Sequence, residues 1–242
     1  MAYLKWISDK DLQECVQHLL ATAERAMGEA DFNKNVIDPF SAIFQVAGFG
    51  LNYAEWEEKE KTRQAQKTLQ NHIGQFHQKI LGHVKGWESI ETGNILDLVN
   101  HKRKIVAEVK NKYNTVSGGN LVNVYDTIEQ NIMFKHSSFK DYTGYYVAIL
   151  PKYPTRFDAP FEPSNKATGS KRPVNVKIRF IDGASFYTLV TGDEHALDDL
   201  FNILPSVIND VGGRMIEASE IVQLAEFMKA AFVKKIPKPK NK

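Results

Sequence analysis

Between Ser8 and Met27 the apolar residues Leu12, Val16, Leu19, Leu20, Ala23 and Met27 recur mostly at spacings of three and four. That period predicts an amphipathic helix, with Ser8 and Asp11 at its start. A second helix is predicted over about Asp38 to Val46. After Gly48-Phe49-Gly50 a longer one begins near Ala54, carries Ala65, Leu69, Ile73, Phe76 and Ile80 on one face, and has Gly82 as its expected C-cap. The period then changes. Asn94–Asn100 and Ile105–Lys110 are short, rich in branched residues and separated by His101-Lys102-Arg103-Lys104, the pattern of a β-hairpin.

Leu121–Ile132 reads as a helix, and the apolar run Tyr142–Leu150 as a strand covered on both faces. Val174, Val176, Ile178 and Phe180 alternate with Asn175, Lys177 and Arg179, which predicts another strand. Helices over about Glu194–Asn209, with Pro205 as a kink point, and Glu217–Val233 complete the pattern. Pro151–Pro173 follows neither period and holds five of the nine prolines; a loop of that length is usually functional or mobile. Lys234–Lys242 has five lysines and no acid, and is expected to be a disordered basic tail. The order of elements predicts an α/β fold with a mixed central β-sheet flanked by helices, as one domain over residues 1–233. Its helical N-terminal region covers 1–83, the hairpin and sheet 84–183, and the C-terminal helices 184–233.

Composition narrows the class. In 242 residues, 43% hydrophobic and 25% charged content excludes collagen-like, mucin-like and disulfide-scaffold proteins. Cys15, the one cysteine, lies among apolar helix positions and is expected to be a small buried hydrophobe. No run of 18 apolar residues occurs and the N-terminus lacks a signal-peptide core, so a soluble cytoplasmic protein with no membrane partner is expected. The net charge of +2 hides an uneven distribution: residues 94–183 carry 14 basic and 8 acidic groups, residues 1–93 carry 10 and 13. The basic excess sits with the hairpin, the long loop and the alternating strand, as a phosphate-binding footprint requires.

A hairpin turn centred between Lys102 and Arg103 sets Asp97 directly opposite Glu108. Opposed Cβ atoms lie about 4.5–5.5 Å apart, and like charges at that spacing need neutralising. Oxygen-only ligands that leave room for water and phosphate suit Mg²⁺. Lys110 falls on the face of Glu108, where an ammonium can orient or help deprotonate an attacking water and offset charge on a phosphate. Glu-x-Lys alone is common and recurs at Glu57-Glu58-Lys59, and solvent-facing edge charges would give the same letters. What singles it out is the Asp inside an apolar strand at the facing register.

Asn111, Lys112, Asn114 and Thr115 follow that strand, as donors to phosphates or base edges or as a polar turn. Lys177 and Arg179 share a predicted strand face, toward DNA or toward solvent. Arg156, Lys166, Lys171 and Arg172 punctuate the loop, and arginine is the commonest reader of guanine. Gly48-Phe49-Gly50 lacks the third glycine of a dinucleotide site, and there is no P-loop, zinc-ligand spacing or Gly-x-Ser-x-Gly elbow.

Ile95-Leu96-Asp97 followed by Ile105-Val106-Ala107-Glu108-Val109-Lys110 resembles the PD-(D/E)xK nuclease signature, with Leu96 in place of its proline. Arg63-Gln64, Gln66-Lys67, Asn71-His72-Ile73-Gly74, Phe76-His77, Gly86-Trp87 and Glu108-Val109-Lys110-Asn111-Lys112-Tyr113-Asn114-Thr115 resemble a family of type II restriction endonucleases that cut GGNCC- or GGWCC-like sites. Phe180–Tyr187 and Val190-Thr191-Gly192 extend the likeness, which spans roughly residues 39–232. The resemblance implies a restriction-endonuclease-like core in which Asp97, Glu108 and the Val109 carbonyl hold Mg²⁺ and Lys110 is the catalytic lysine. It also implies a prokaryotic homodimer on palindromic double-stranded DNA, 5′-phosphate and 3′-hydroxyl products, and a companion cytosine methyltransferase. Related nucleases often add a Glu from the preceding helix; this chain has Gln75, His77 and Gln78 there and Glu55, Glu57, Glu58 and Glu60 turns earlier, so a third ligand stays open. A repair or junction nuclease on the same fold, and a non-catalytic DNA-binding module, are the competing readings.

Overall fold

The computed structural model describes residues 2–28, 35–90, 96–117, 119–165 and 168–232. Helix α1 (Asp9–Gly28) starts where Ser8 Oγ accepts from the Asp11 N–H at 3.1 Å. Helix α2 (Pro39–Phe49) is capped by Asp38, which accepts from the Phe40 and Ser41 N–H groups, and has proline at its first position, where no N–H is needed. Helix α3 (Tyr53–Gly82) opens with a reciprocal capping box between Asn52 and Glu55. It runs 30 residues. Gly82 is the last residue of the helix, not its cap; a Cβ there would stand 2.8 Å from Ser89, so close passage of the next segment is what requires glycine.

Strands β1 (Glu88–Ser89), β2 (Leu98–Asn100), β3 (Ile105–Lys112), β4 (Thr143–Leu150), β5 (Asp158–Pro160) and β6 (Ile178–Asp182) form a six-stranded sheet in the order β1-β2-β3-β4-β6-β5. The two outer pairings on the β1 side and the β5–β6 pairing are antiparallel, whereas β3–β4 and β4–β6 are parallel, so the sheet is mixed as predicted. Helix α4 (Leu121–Met133) crosses from β3 to β4 and buries Val122, Tyr125, Ile128 and Ile132 against one face. Gly144 on β4 permits that approach, because a Cβ there would collide with Ile128. The other face carries Ala107, Val109, Tyr145, Val147 and Ile181 and is covered by α1, α3, α5 (Gly183–Thr191) and α6 (Ala196–Asp210). α7 (Ala218–Phe232) follows with none of its residues fully buried. With both faces covered, β4 is buried along six of its eight residues.

The structure departs from the sequence pattern at three further points. The strand predicted over 174–180 begins only at Ile178, because the Asn175 side chain and carbonyl accept from Lys177 and Ile178 and hold a turn there; Val174 and Val176 are exposed. Helix α5 was not predicted. Asp182 caps it through Ser185, and Gly192 in the left-handed region ends it. The Pro151–Pro173 segment is not a free loop: it contributes β5 to the sheet edge, buries Phe161 against Tyr146, and has its Phe157 N–H held by Asp182. Proline at 160 is tolerated on an edge strand. α6 continues through Pro205. Asn94, Ile95, Lys166, Val233 and the Lys234–Lys242 tail lie outside the described residues.

Candidate active site

The hairpin fixes the site. Leu98 pairs with Ala107, Val99 with Val106 and Asn100 with Ile105, which is the symmetric register expected from the sequence. Its four-residue turn is held by the buried Asn100, whose Oδ1 accepts from Arg103 N–H at 2.9 Å, and by Lys104 in the left-handed region at φ 53°. One position beyond the paired strand, Asp97 still donates its N–H to Ala107 O at 2.8 Å, so it lies opposite Glu108. Along β3 burial is complete through Ala107 and relaxes at Glu108 and Lys110, where the alternating face emerges into a cleft.

Lys110 Nζ stands 2.5 Å from Glu108 Oε1 and 4.0 Å from Asp97 Oδ2. The three side chains are 26%, 13% and 19% exposed for Lys110, Glu108 and Asp97. Asp97 Oδ2 also accepts the Val109 N–H at 2.6 Å. Burial holds the Asp97 carboxyl above its ordinary range, partly offset by Lys110 and the Val109 N–H. Glu108 is pushed up to about 7, first by burial and then by the Asp97 charge, with Lys110 opposing. Tyr146, directly across the sheet from Glu108, is raised to about 12 by burial and that carboxylate, and its buried hydroxyl has no hydrogen-bond partner.

The C-terminal half of α3 forms the opposite wall. Gln78 Nε2 donates to Val109 O at 3.2 Å and the same side chain reaches Asp97. Gln70, Asn71, Gly74 and Gln75 share that wall of a cleft of about 670 Å³. Asp97, Lys110 and the predicted contacts Asn111, Lys112, Asn114 and Thr115 all line it. The turn after β3 is tied by Thr115 Oγ1 accepting from Lys112 N–H at 3.2 Å. In the sequence Gln75 and Gln78 stand out as candidate neighbours of the metal and Asn71 and Gly74 only within the family likeness; Gln70, Asn71, Gln75 and Gln78 together make an amide face at helical spacing, with Gly74 between them, which the run of amides on α3 could have revealed.

Lys177 and Arg179 do not join this group. Lys177 precedes β6 and pairs with Asp141 at 3.3 Å. Arg179 pairs with Asp158 at 2.6 Å and, lying across from Tyr145, is on the face opposite Glu108. In the long segment, Arg156 donates to Ala184 O and Thr188 Oγ1, and Arg172 pairs with Asp126. The Cys15 thiol is buried and raised to about 11 by that burial, as fits a core residue. Among the described residues no cluster of three His, Cys, Asp or Glu side chains is present, so Asp97 and Glu108 have no third such ligand there.

A sequence profile of the Eco47II restriction endonucleases matches residues 4–212. The chain belongs to that family. It is 51% identical over 210 residues to the type II restriction enzyme Eco47II of Escherichia coli, covering 86% of this chain and 87% of that protein. It is 30% identical over 214 residues to the type II restriction enzyme Sau96I of Staphylococcus aureus, covering 86% of this chain and 80% of that one. The chain is therefore an enzyme of the type II restriction endonuclease class, and its helix-flanked mixed sheet is consistent with the restriction-endonuclease-like fold. Enzymes of this class generally require a divalent metal ion. The donor set fits one: two partly buried carboxylates and a carbonyl offer oxygen only, and the Lys110 ammonium stands beside both carboxylates as the sole cation among these groups.

Proposed function

We propose that the protein is a PD-(D/E)xK endonuclease that hydrolyses phosphodiester bonds of double-stranded DNA with Mg²⁺, at a short palindromic GGWCC- or GGNCC-like site. The observation that carries this reading is the meeting of the Asp97, Glu108 and Lys110 side chains at the hairpin, with the ammonium 2.5 Å from Glu108 and 4.0 Å from Asp97 beside the cleft that Asp97 and Lys110 line. Asp97, Glu108 and the Val109 carbonyl would hold the ion. When bound, it supplies Lewis-acid stabilisation of the phosphoryl charge and a lowered pKa for water.

Lys110 orients the attacking water and donates to the phosphoryl oxygen on which negative charge grows. Glu108, and Asp97 held in place by the Val109 N–H, keep the ammonium from swinging to solvent. The water oxygen forms a new bond to phosphorus as the bond to the 3′ oxygen breaks; the water proton leaves to solvent and the 3′ oxygen takes one up. The products are a 5′-phosphate and a 3′-hydroxyl. Asn111, Lys112, Asn114 and Thr115 contact DNA along the cleft, and the amide wall of α3 faces them. Lys177 and Arg179 are at most peripheral phosphate contacts.

A two-fold site requires two cleaving centres, so the enzyme acts as a homodimer in which each subunit cuts one strand. It works in a prokaryotic cytoplasm beside a cytosine methyltransferase that protects host DNA; among the described residues no helix is long and apolar enough to cross a membrane. Unmethylated plasmid incubated with the pure protein and Mg²⁺ gives discrete fragments that DNA ligase rejoins directly, and EDTA abolishes them. Structure-selective nicking in place of fragments would favour a repair nuclease, and no cleavage with any divalent ion would remove the enzymatic reading of the cleft.

A further inference from the structure

Helix α2 is built the wrong way round for a monomer. From Pro39 to Ala54 the chain carries no charged residue. Ala42, Gln45 and Val46 are only half-buried toward α3, with Gln45 accepting from Trp56 Nε1 at 3.3 Å, and no α2 residue is fully buried. The outward stripe is the more apolar one: Phe40, Ile43, Phe44 and Ala47 recur at three, four and seven residues, with Phe40 76%, Ile43 64% and Phe44 75% exposed. A solvated helix presents its polar face outward; this one exposes only Ser41 as a polar side chain beside that stripe.

We infer that the Phe40–Ile43–Phe44–Ala47 face of α2 is the surface on which a second copy of this chain docks, α2 against α2. The inference rests on the homodimer reading above and names its interface. A fully exposed aromatic ring and its neighbours offer about 150–250 Å² each, so the stripe alone supplies roughly 400–500 Å². That is about half to 60% of the about 800 Å² per partner that a standard stable interface buries, and flanking Val36 and Tyr53, also exposed, extend it. The lack of charge argues against DNA, which needs cations, and against an anionic lipid surface, which needs a basic polar face. A self-complementary patch is what a two-fold axis requires, and the small Ala47 lets two helix backbones approach.

The placement also leaves the cleft open. α2 packs by Trp56 near the start of α3, whereas the catalytic wall is Gln70 to Gln78; at 1.5 Å per residue the two are about 20–33 Å apart along the helix. A pairing through α2 therefore covers neither active site.

Sedimentation equilibrium of the full chain at micromolar concentration tests the assignment, with Phe44→Glu compared against wild type. Wild type is expected at twice the 27.4 kDa chain mass, and Phe44→Glu at the single-chain mass with association weakened at least tenfold and an unchanged far-UV circular dichroism spectrum. If Phe44→Glu does not fold, Ile43→Gln, a milder change on the same stripe, is expected to weaken association in the same direction. A folded variant that remains a dimer overturns the α2 interface while leaving the homodimer reading in place. A wild-type chain at single mass overturns both, and the plasmid digest then still reports on cleavage independently.

Discussion

At the residue scale the cleft concentrates charge that the fold alone does not neutralise. Asp97 and Glu108 face each other at a register that costs stability, and one lysine serves both. Because Glu108 is raised from 4.5 to about 7, its protonated form is favoured in the fold; that stability is complete below about pH 4.5 and lost as pH rises through about 7. Glu108→Gln is therefore expected to stabilise the metal-free protein at pH 8 by roughly 1–3 kcal/mol while abolishing cleavage. Thermal melts with and without Mg²⁺ check it: wild type should gain from the ion and the variant should not, and a variant less stable than wild type without metal would count against the strained pair. Tyr146→Phe removes a buried hydroxyl that has no partner, so it should leave stability unchanged or higher by about 1 kcal/mol in denaturant unfolding. A loss greater than that would reveal a bond the hydroxyl makes. Lys110→Met should lower turnover at least 100-fold with the melting curve intact.

At the scale of elements, α3, the longest helix among the described residues, forms one wall of the site and meets α5 through a half-buried histidine. His77 Nδ1 lies 2.8 Å from the Tyr187 hydroxyl, and burial lowers its pKa to about 4. The neutral ring is favoured in the fold, so its contribution is complete above about pH 6.5 and lost as pH falls toward about 4, amounting to roughly 3 kcal/mol across that window. His77→Gln should flatten the acid side of the stability curve, read by urea midpoints between pH 4 and 7; an unchanged slope would place the acid sensitivity elsewhere. Gly144→Ala drives a methyl into Ile128 and should cost about 1–3 kcal/mol by the same measurement.

Elements with a long period, such as α1, α3, α4 and β4, were legible because their burial repeats over many residues. The hairpin register was legible for a different reason: a four-residue turn leaves one symmetric pairing, and that pairing placed Asp97 against Glu108. What escaped were features decided by a single side chain or by distant partners. The Asx turn at Asn175 ends an alternation that reads as strand, and β5 exists only because β6 offers it an edge. The separation of Arg179 from the cleft follows from its facing Tyr145 on the other side of the sheet, which no local pattern announces.

For the whole molecule, near-neutrality conceals a basic excess over residues 94–183, part of which is spent on internal pairs: Arg172 with Asp126, Lys177 with Asp141 and Arg179 with Asp158. Lys110 and Lys112 remain in the cleft itself. A surface with few phosphate contacts predicts DNA affinity that falls with salt more gently than for a protein making six to ten such contacts, which loses about 10³–10⁵ between 50 and 200 mM. Fluorescence anisotropy against salt, in Ca²⁺ to suppress cleavage, measures that slope. The central claim, that the hairpin cleft is where DNA is cut, is tested most directly by digesting one unmethylated plasmid with wild type and Asp97→Ala side by side in Mg²⁺. The account predicts discrete fragments from wild type and intact plasmid from a folded, DNA-binding variant; equal turnover by the two would contradict it.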